Sequence, residues 1–506
     1  MRKHSLILIL CLYLFSTFEV YAQDQLKPTS FQNLALQFTG SDITASSSPV
    51  MPSVANAYGH GSYMDNPASM ALMPNSEFSL SFYQQNASTE SYYLGNSVDS
   101  EAAINRLGNI GLTYSLPTLE GSMVIGVGYS RVISENRSFG FSGRNSDNTI
   151  TDSFLDEGNE FHDLAFDTYA IDWGDVDRTY LESIFRIGFE PGTFPGINQD
   201  GKISSETLSG EYSAFFATEF RRNLFIGISA GYMLGDFNYE RSFLEIDSRN
   251  DYDGDFIEGS DIDNILVRNQ LDSEFSGWIF RGGAVYKFNG GINAGISYVL
   301  PSTFDISELF YYSIQTSLDD NSEPFFSEIE PSGSFRYRIK KPGILRVGVD
   351  YEIKKWIRLA ASAEYIDYSK VSFDFVSDRD ARLTDIEFWR NEQQRQNNFA
   401  ENNNKAVLNV KVGAELSINE NMKGSLGYSY LPGKSELEYS DAHEFSGVFS
   451  VGLLNNLQLN VRGSYLLKEN QTTLYNFIDF DNEAQTSKFT ADVQRFRVMA
   501  GLKLQF

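Results

Sequence analysis

Three arginines are the clearest candidates for ligand chemistry in this chain. Arg346, Arg358 and Arg462 each project inward on the register of stretches where apolar and polar residues alternate. A guanidinium offers a planar fork of donors that matches a carboxylate, so any of the three could bind an acidic ligand. The alternative is that they neutralise carboxylates on the same face, and a polar interior needs such pairs in any case. Those carboxylates are Asp350, Glu352, Glu364 and Glu415.

Catalytic chemistry has little support in the sequence. The only cysteine, Cys11, precedes the predicted mature chain, which excludes a thiol nucleophile and a zinc–thiolate site there. Of the four histidines, His4 is also predicted to be removed, and His60, His162 and His443 stand far apart. None belongs to a recognisable nucleophile motif or suggests an axial pair for haem. We therefore predict a protein that is not an enzyme and has no cofactor.

Two acidic stretches raise the question of calcium. One is the run of carboxylates from Asp251 to Asp263, and the other is Asn198 to Ile203, which resembles a fragment of a calcium loop. Neither keeps the full spacing of an EF-hand, because Phe256 stands where the first would need glycine and the second begins with Gly196 instead of Asp. Solvated loops are the favoured interpretation, with loop-bound calcium as the alternative.

The arginines belong to strands with one apolar and one polar face. From Phe496 to Phe506 every even position is apolar, while Arg495, Arg497 and Lys503 fall on odd positions. The same alternation runs through Leu345–Ile353 and is typical of strands that face lipid on one side. The negative mean hydropathy agrees, because only alternate residues of such strands meet lipid.

The connections between the predicted strands alternate in length. Short joints lie near residues 117–121, 221–223, 289–291, 354–355, 418–421 and 454–456. Long segments predicted as loops lie between them, at 134–207, 236–272, 302–333, 373–404 and 468–487. Short turns at one end and long loops at the other are typical of outer-membrane barrels. We predict an all-β fold, an antiparallel barrel of about fourteen strands over residues 77–506, with both termini in the periplasm; a secreted all-β protein is the alternative.

The two ends of the chain support export to the outer membrane. Arg2 and Lys3 precede an apolar run from Leu6 to Phe18, which predicts a signal peptide over residues 1–22. The last strand ends on an aromatic residue and resembles the signal read by the barrel-assembly machinery, which is thus an expected partner during biogenesis. The formal net charge of −27 argues against nucleic acid as a partner. Outer-membrane lipid and lipopolysaccharide are expected neighbours.

Residues 23–76 do not alternate and contain Ala57-Tyr58-Gly59-His60-Gly61, followed by Asn66-Pro67-Ala68 just before the first predicted strand. This arrangement resembles the FadL/TodX family of outer-membrane channels for hydrophobic compounds, as do Gly295–Pro301 and Pro342–Tyr351. The resemblance implies that residues 23–76 form a hatch in the barrel lumen. Hatch residues would be Gly59, Gly61, Asn66, Pro67 and Ala68.

The resemblance also implies passive uptake of long-chain fatty acids or other small hydrophobic ligands, with a sideways exit beside a kinked third strand. Gly126 and Gly128 are the candidates for this kink, because glycine inside a strand can mark an irregularity. The alternative is that they are ordinary small residues in a packed lumen. A different role stays open for the whole protein, since some FadL-like barrels act as accessory or docking components in protein secretion.

Overall fold

The computed structural model describes residues 50–187, 193–252, 261–320, 323–329, 335–376, 383–435, 440–479 and 483–506. The predicted signal peptide and the acidic positions 253–260 lie outside them, as do residues 23–49 of the predicted hatch. No helix among the described residues is both long and apolar enough to cross a membrane.

The strands form one closed, all-antiparallel barrel of fourteen strands, which confirms the predicted fold class. The first strand pairs with the last from Glu77 opposite Gln505 to Tyr92 opposite Thr490, so the sheet has no free edge at its closure. The strands are β1 (Glu77–Tyr93), β2 (Asn96–Leu116), β3 (Met123–Asn145), β4 (Ile197–Arg221), β5 (Leu224–Ile246), β6 (Ile262–Lys287), β7 (Ile292–Val299 and Ser302–Leu318), β8 (Phe335–Lys341 and Ile344–Lys354), β9 (Ile357–Asp367 and Ser372–Phe375), β10 (Ala406–Asn419), β11 (Met422–Leu431), β12 (Ala442–Leu454), β13 (Leu457–Ile478) and β14 (Ala484–Gln505).

The register of the alternation agrees with the sequence. On β14 the even residues Phe496 and Val498 are exposed on the outside, while Arg497 is buried on the inside. Val347 on β8 and Leu408 on β10 are also exposed, at 46% and 52%. Exposed apolar side chains of this kind continue around the barrel and form an apolar band, as expected for a wall surrounded by lipid.

Short turns join the strands at one end of the barrel, hereafter the short-turn end. The joint between β6 and β7 illustrates why they are tight. Gly290 and Gly291 have φ angles of 91° and 84°, a conformation that glycine adopts without the steric cost that a side chain would add. The Asn-Gly-Gly sequence therefore sets this hairpin.

The long segments predicted as loops are corrected by the structure, because the strands extend far into them. β3 and β4 leave only residues 146–196 between them, and β5 and β6 leave residues 247–261. Most of the segment 302–333 lies in β7, and the segment 468–487 lies mainly in β13 and β14. Beyond the apolar band the outer face no longer needs apolar residues, so the alternation fades while the backbone pairing continues.

The connection between β3 and β4 folds over the long-loop end of the barrel. It contains a 3₁₀ helix (Ile150–Leu155), helix α1 (His162–Asp167) and a small hairpin (Ile171–Trp173 with Leu181–Ser183). Apolar residues of this connection, including Phe154 and Phe185, are buried in one cluster with residues of the strand ends. The buried Arg186 binds Asp152 within the same connection at 2.7 Å. The connection is thus a packed unit.

The segment 373–404 contains helix α2 (Leu383–Asn403), which was not predicted. The upper part of β9 pairs with β8 on one side, but β10 begins only at Ala406, which leaves the other edge of residues 372–375 without a strand. Asn397 of α2 accepts from Phe373 N at 2.6 Å and donates to Phe373 O at 3.1 Å. Gln393 accepts from Phe375 N at 3.1 Å. Side-chain amides thus replace the missing strand.

Candidate functional site: lumen segment, seam and basic cavity

Residues 50–76, hereafter the lumen segment, lie inside the barrel. Asn66 holds this segment by four hydrogen bonds. Its amide nitrogen donates to Val54 O at 2.7 Å and to the wall carbonyls of Ala284 and Ile296 at 3.2 and 3.3 Å, and its oxygen accepts from Ala68 N at 2.9 Å. A side chain at Gly283 would place its Cβ 2.1 Å from the Asn66 oxygen. Asn66 therefore joins the lumen segment to β6 and β7.

The other predicted hatch residues lie in the same unit. Pro67 and Ala68 begin a 3₁₀ helix (Pro67–Leu72), and Gly227 of β5 leaves room for the Ala68 backbone. Gly59 has a φ of 141°, next to a 3₁₀ helix (His60–Met64) that contains Gly61. These contacts show where the residues lie, and their role in a hatch stays a prediction.

The three predicted arginines lie in different surroundings inside the barrel. Arg346 is buried and binds Glu364 at 2.6 Å and Met64 O of the lumen segment at 3.0 Å. Arg358 binds Glu352 and lies 3.6 Å from Asp350. Both thus form the pairs with inward carboxylates that the sequence left as the alternative. Arg358 and Arg462 also line a cavity of about 630 Å³ between the lumen segment and the short-turn end.

Gly126 and Gly128 do not lie at the irregularity of β3. Both pair regularly with β2 and with β4, and they make room for rings in the lumen. A Cβ on Gly126 would lie 2.2 Å from the Phe215 ring, and one on Gly128 would lie 2.6 Å from His60 Nε2. The predicted kink at these glycines is therefore corrected, and the packing alternative describes them.

The irregularity of β3 lies at Val132, where the register against β4 shifts between Arg131 and Ile133. Just before it, the pairing between β2 and β3 ends at Asn109 opposite Ser130, although β2 continues to Asn96 and β3 to Asn145. We call this interruption of the wall the seam.

Beyond the seam β3 passes on the inner side of β1 and β2. Tyr83 and Gln85 point inward from β1, and they bond to Ser134 and Asn136 of β3: Tyr83 OH lies 2.6 Å from Ser134 Oγ, and Gln85 Nε2 lies 2.6 Å from Asn136 Oδ1. Gln85 Nε2 also donates to Ser134 O at 3.2 Å, a carbonyl beyond the last residue paired with β2. Side chains of β1 thus replace part of the backbone pairing lost at the seam.

The overlap of β3 with β1 and β2 continues above the seam. Arg106 of β2 binds Glu206 of β4 at 2.9 Å. Higher up, a Cβ on Gly140 of β3 would lie 2.7 Å from Val98 Cγ1 and 3.7 Å from Val98 Cβ. The wall is closed here by side-chain contact between layers, which separates more readily than a continuous backbone ladder.

A cavity of about 120 Å³ lies on the lumen side of β3, hereafter the basic cavity. Its lining includes Glu135 of β3 and four cationic residues, which are Lys434, Lys468, Arg495 and Arg497. Arg495 lies 3.9 Å from Glu135. One carboxylate thus faces four cations in the described lining, and this arrangement favours an anion.

Arg497 is the most informative of these cations because it is 4% exposed and forms no ion pair within the described chain. Its Nε and Nη2 donate to Gln85 Oε1 at 3.0 and 2.6 Å, and this amide oxygen is a neutral acceptor. Its Nη1 is buried with no hydrogen-bond partner among the described residues. A buried cation without a carboxylate is costly, and a ligand anion would offset that cost.

The sequence carries one signal for this cavity, in the terminal strand. Arg495 and Arg497 occupy the odd positions of the terminal strand, and the alternation therefore placed them in the lumen. Their meeting with Lys434, Lys468 and β3 depends on contacts between distant strands, which the alternation does not specify.

Each of the three histidines lies within hydrogen-bonding distance of another group, and the proposed calcium fragment lies in a strand. His60 Nδ1 lies 3.0 Å from Thr113 Oγ1, His162 Nδ1 lies 2.7 Å from Phe154 O, and His443 Nδ1 lies 2.8 Å from Tyr428 OH. The fragment 198–203 is part of the paired strand β4, which corrects its interpretation as a loop. No group of three potential metal-binding side chains occurs in the described ranges.

Comparison with known proteins finds similarity at the level of solved structures. No protein-family model and no curated protein matches the chain. The toluene transporter TodX of Pseudomonas putida is 12% identical, with 90% of this chain and 96% of that chain covered at a TM-score of 0.47. The toluene transporter TbuX of Ralstonia pickettii is 11% identical, with 90% and 97% covered at 0.45.

A FadL homologue of Pseudomonas aeruginosa is also similar, at 11% identity, with 89% and 95% of the two chains covered and a TM-score of 0.45. These structures carry the names of the family that the sequence resembles, and the match covers most of the chain. At such identities and scores, the similarity alone defines neither the membership of a family nor a ligand.

Proposed function

We propose that this protein is an outer-membrane channel for the passive uptake of long-chain fatty acids or other hydrophobic compounds. The observation that carries the proposal is the seam, where β3 leaves the wall and passes behind β1 and β2. A barrel that is only a scaffold has no need for such an interruption. In this proposal, residues 23–76 act as the hatch and both termini lie in the periplasm.

The arrangement inside the lumen supports a sideways path. The lumen segment is tied to the wall by Asn66, Arg346 and Lys503, whose Nζ donates to Tyr58 O at 2.8 Å. Above it, inward apolar side chains such as Phe215, Phe275 and Phe304 belong to one buried cluster with Tyr63 and Met64 of the segment. An apolar solute is favoured beside that cluster, because its surface is removed from water there.

The basic cavity supports an acidic head group on the transported compound. It lies beside Val132, Ile133 and Ser134 of β3, directly inside the seam. A carboxylate there would meet Arg497, whose Nη1 has no partner in the described chain. An amphiphile with one acid group therefore fits better than a neutral hydrocarbon. The docking role in secretion requires neither the seam nor this cavity.

A disulfide across the overlap tests whether the seam must open. Val98→Cys with Gly140→Cys would place two Cβ atoms about 3.7 Å apart, within the range for a disulfide. The mature chain is predicted to contain no other cysteine, so the bond forms without competition. We expect uptake of a radiolabelled long-chain fatty acid into cells that lack their own transporter to fall at least tenfold when oxidised and to recover on reduction.

The matched control is Asn421→Cys with Gly452→Cys, where the Cβ atoms would lie 3.6 Å apart at the short-turn end, between the β10–β11 turn and β12. This disulfide should leave uptake unchanged. Full uptake through the oxidised Val98/Gly140 variant would refute the sideways path. Mass spectrometry of lipids that copurify with the protein would identify the compound, and a copurifying secreted protein in their place would favour the docking role.

A further inference from the structure

Three neighbouring strands break at the same height on the side of the barrel away from the seam. β7 is interrupted at residues 300–301, β8 at 342–343 and β9 at 368–371. Across the break the pairing of β7 with β8 keeps its register, whereas the pairing of β8 with β9 shifts from Ile344 opposite Ile366 to Lys340 opposite Ser372. Pro301 and Pro342 contribute to the breaks because proline has no backbone N–H to donate. The result is a crease across three strands of the wall.

Directly above the crease, one row of side chains faces outward. Thr303 of β7 lies opposite Lys340 of β8, and Lys340 lies opposite Ser372 of β9. Residues directly opposite each other in a sheet share a face with Cβ atoms roughly 5 Å apart. One ammonium group is therefore flanked by two hydroxyl groups on the outer surface.

Two further cations continue upward along β8 on the same face. Arg338 and Arg336 are exposed, and Arg338 binds Asp305 at 2.7 Å. Lys340 itself forms no ion pair within the described ranges. An ammonium with two hydroxyl groups beside it provides the donors that a phosphate group accepts.

Below the crease, the outer face is apolar and aromatic. Tyr298, Leu345 and Tyr365 lie in one directly paired row and are 45%, 39% and 47% exposed. A Cβ on Gly343 would lie 2.2 Å from Tyr298 OH, so the Tyr298 side chain reaches up to the crease. The boundary between apolar and charged wall thus coincides with the crease.

We propose that the row Thr303–Lys340–Ser372, hereafter the phosphate row, binds the phosphate of a membrane lipid whose acyl chains lie along Tyr298, Leu345 and Tyr365. The assignment rests on the order of the two rows along the barrel axis. Acyl chains pack beside the apolar row, and the phosphate lies beside the charges immediately above it. Lys340 is the cation of this row and forms no ion pair within the described ranges, so the row attracts an anion.

The test is a competition between two lipids with identical acyl chains, phosphatidylglycerol and the phosphate-free digalactosyldiacylglycerol. Native mass spectrometry counts the adducts of each on the purified barrel. Phosphatidylglycerol adducts should predominate on the unmodified protein. Because a charge-assisted hydrogen bond is lost, Lys340→Gln should lower their excess about tenfold, and Thr303→Val should lower it less.

Lys354→Gln is the matched control, since Lys354 is an exposed cation of the same strand at the short-turn end. It should leave the excess unchanged, and heat-modifiable migration confirms that every variant is folded. Equal excess on the unmodified and Lys340→Gln proteins would overturn the site. Binding of inorganic phosphate alone, with loss on Lys340→Gln but no preference between the lipids, would overturn the lipid as its occupant.

Discussion

Buried arginines in this barrel serve two purposes. Arg281 makes two bonds of 2.7 Å to Glu211, and Arg346 binds Glu364 at 2.6 Å, so each has a buried carboxylate partner and joins parts of the structure. Among the described residues, the Nε and Nη2 groups of Arg497 donate to the Gln85 amide oxygen, and Arg497 faces the basic cavity. A buried arginine with a carboxylate partner indicates a role in holding the fold together. A buried arginine that lies beside a cavity and has a neutral acceptor in place of a carboxylate indicates a role in ligand binding.

This difference predicts the effect of Arg497→Gln. Binding of a long-chain fatty acid should weaken at least tenfold, because the cation that meets the carboxylate is lost, whereas binding of the matching long-chain alcohol should change little. Isothermal titration of detergent-purified protein measures both. Arg497→Lys should recover part of the affinity, since it keeps the charge but not the fork.

The control for that prediction is Arg358→Gln, which removes a lumen arginine already paired with Asp350 and Glu352. Affinity for the fatty acid should then stay within about twofold. An equal loss for the acid and the alcohol in Arg497→Gln would contradict a head-group role.

His60 makes the docking of the lumen segment sensitive to acid. Its ring lies against Gly111 and Gly128, and its Nε2 is buried without a partner among the described residues. Burial, and next the charge of Lys503, lowers the pKa of His60 from 6.5 to about 4. The docked segment thus holds a neutral imidazole, while a released segment would hold one with an ordinary pKa.

The sign of the pH dependence follows from this difference. Between pH 6.5 and 4 the released state binds a proton that the docked state does not, so docking weakens as the pH falls, by about 3 kcal/mol in total, and is at full strength above pH 6.5. Single-channel conductance in planar bilayers should show more frequent opening toward pH 4. His60→Gln should remove that dependence, and an unchanged pH profile in this variant would contradict it.

At the scale of elements, α2 and the seam show two ways of treating an unpaired strand. The edge of β9 is covered by Asn397 and Gln393, whose spacing of one helical turn matches two residues of a strand. The edge of β3 at the seam is covered by Tyr83 and Gln85 of β1. In both places side-chain groups replace the backbone of a neighbouring strand.

Asn397→Leu tests the cover on β9. It would remove both bonds to Phe373, so amide exchange at Phe373 should accelerate about tenfold or more, given the free energy of a buried hydrogen bond. Hydrogen–deuterium exchange with mass spectrometry resolves this peptide. Asn398→Leu, at an exposed position of the same helix, should leave the exchange unchanged. Equal exchange in both variants would mean that α2 does not protect this edge.

At the scale of the whole molecule, the outward register predicts where charge prevents assembly. Val347→Arg and Leu408→Arg each place a guanidinium on the apolar outer face, at a cost of about 2–4 kcal/mol near the middle of a bilayer. The folded fraction after refolding into lipid vesicles, measured by heat-modifiable migration, should fall for both. Gln84→Arg lies on the exposed outer face of β1 above Phe82 and should fold normally. Normal folding of the first two variants would contradict the register.

The fourteen strands, the outward register and the short turns could be predicted from the sequence, because each depends on a local pattern. Residues such as Val347 and Val349 face outward while Arg346 faces the lumen, and the sequence shows this contrast as an alternation of apolar and polar residues with a period of two. Asn289-Gly290-Gly291 sets its hairpin through backbone conformations that glycine readily adopts.

Features that depend on distant partners were decided only by the tertiary structure. Above the apolar band both faces of a strand are polar or packed, so the alternation of apolar and polar residues reveals β3 below Ser130 but not above it. The sequence around Val132 shows no local sign of a bulge. The basic cavity joins β3 with β11, β13 and β14, and the phosphate row joins β7, β8 and β9. Periodicity determines which face a residue occupies, but the pairing and curvature of the closed sheet determine which residues meet there.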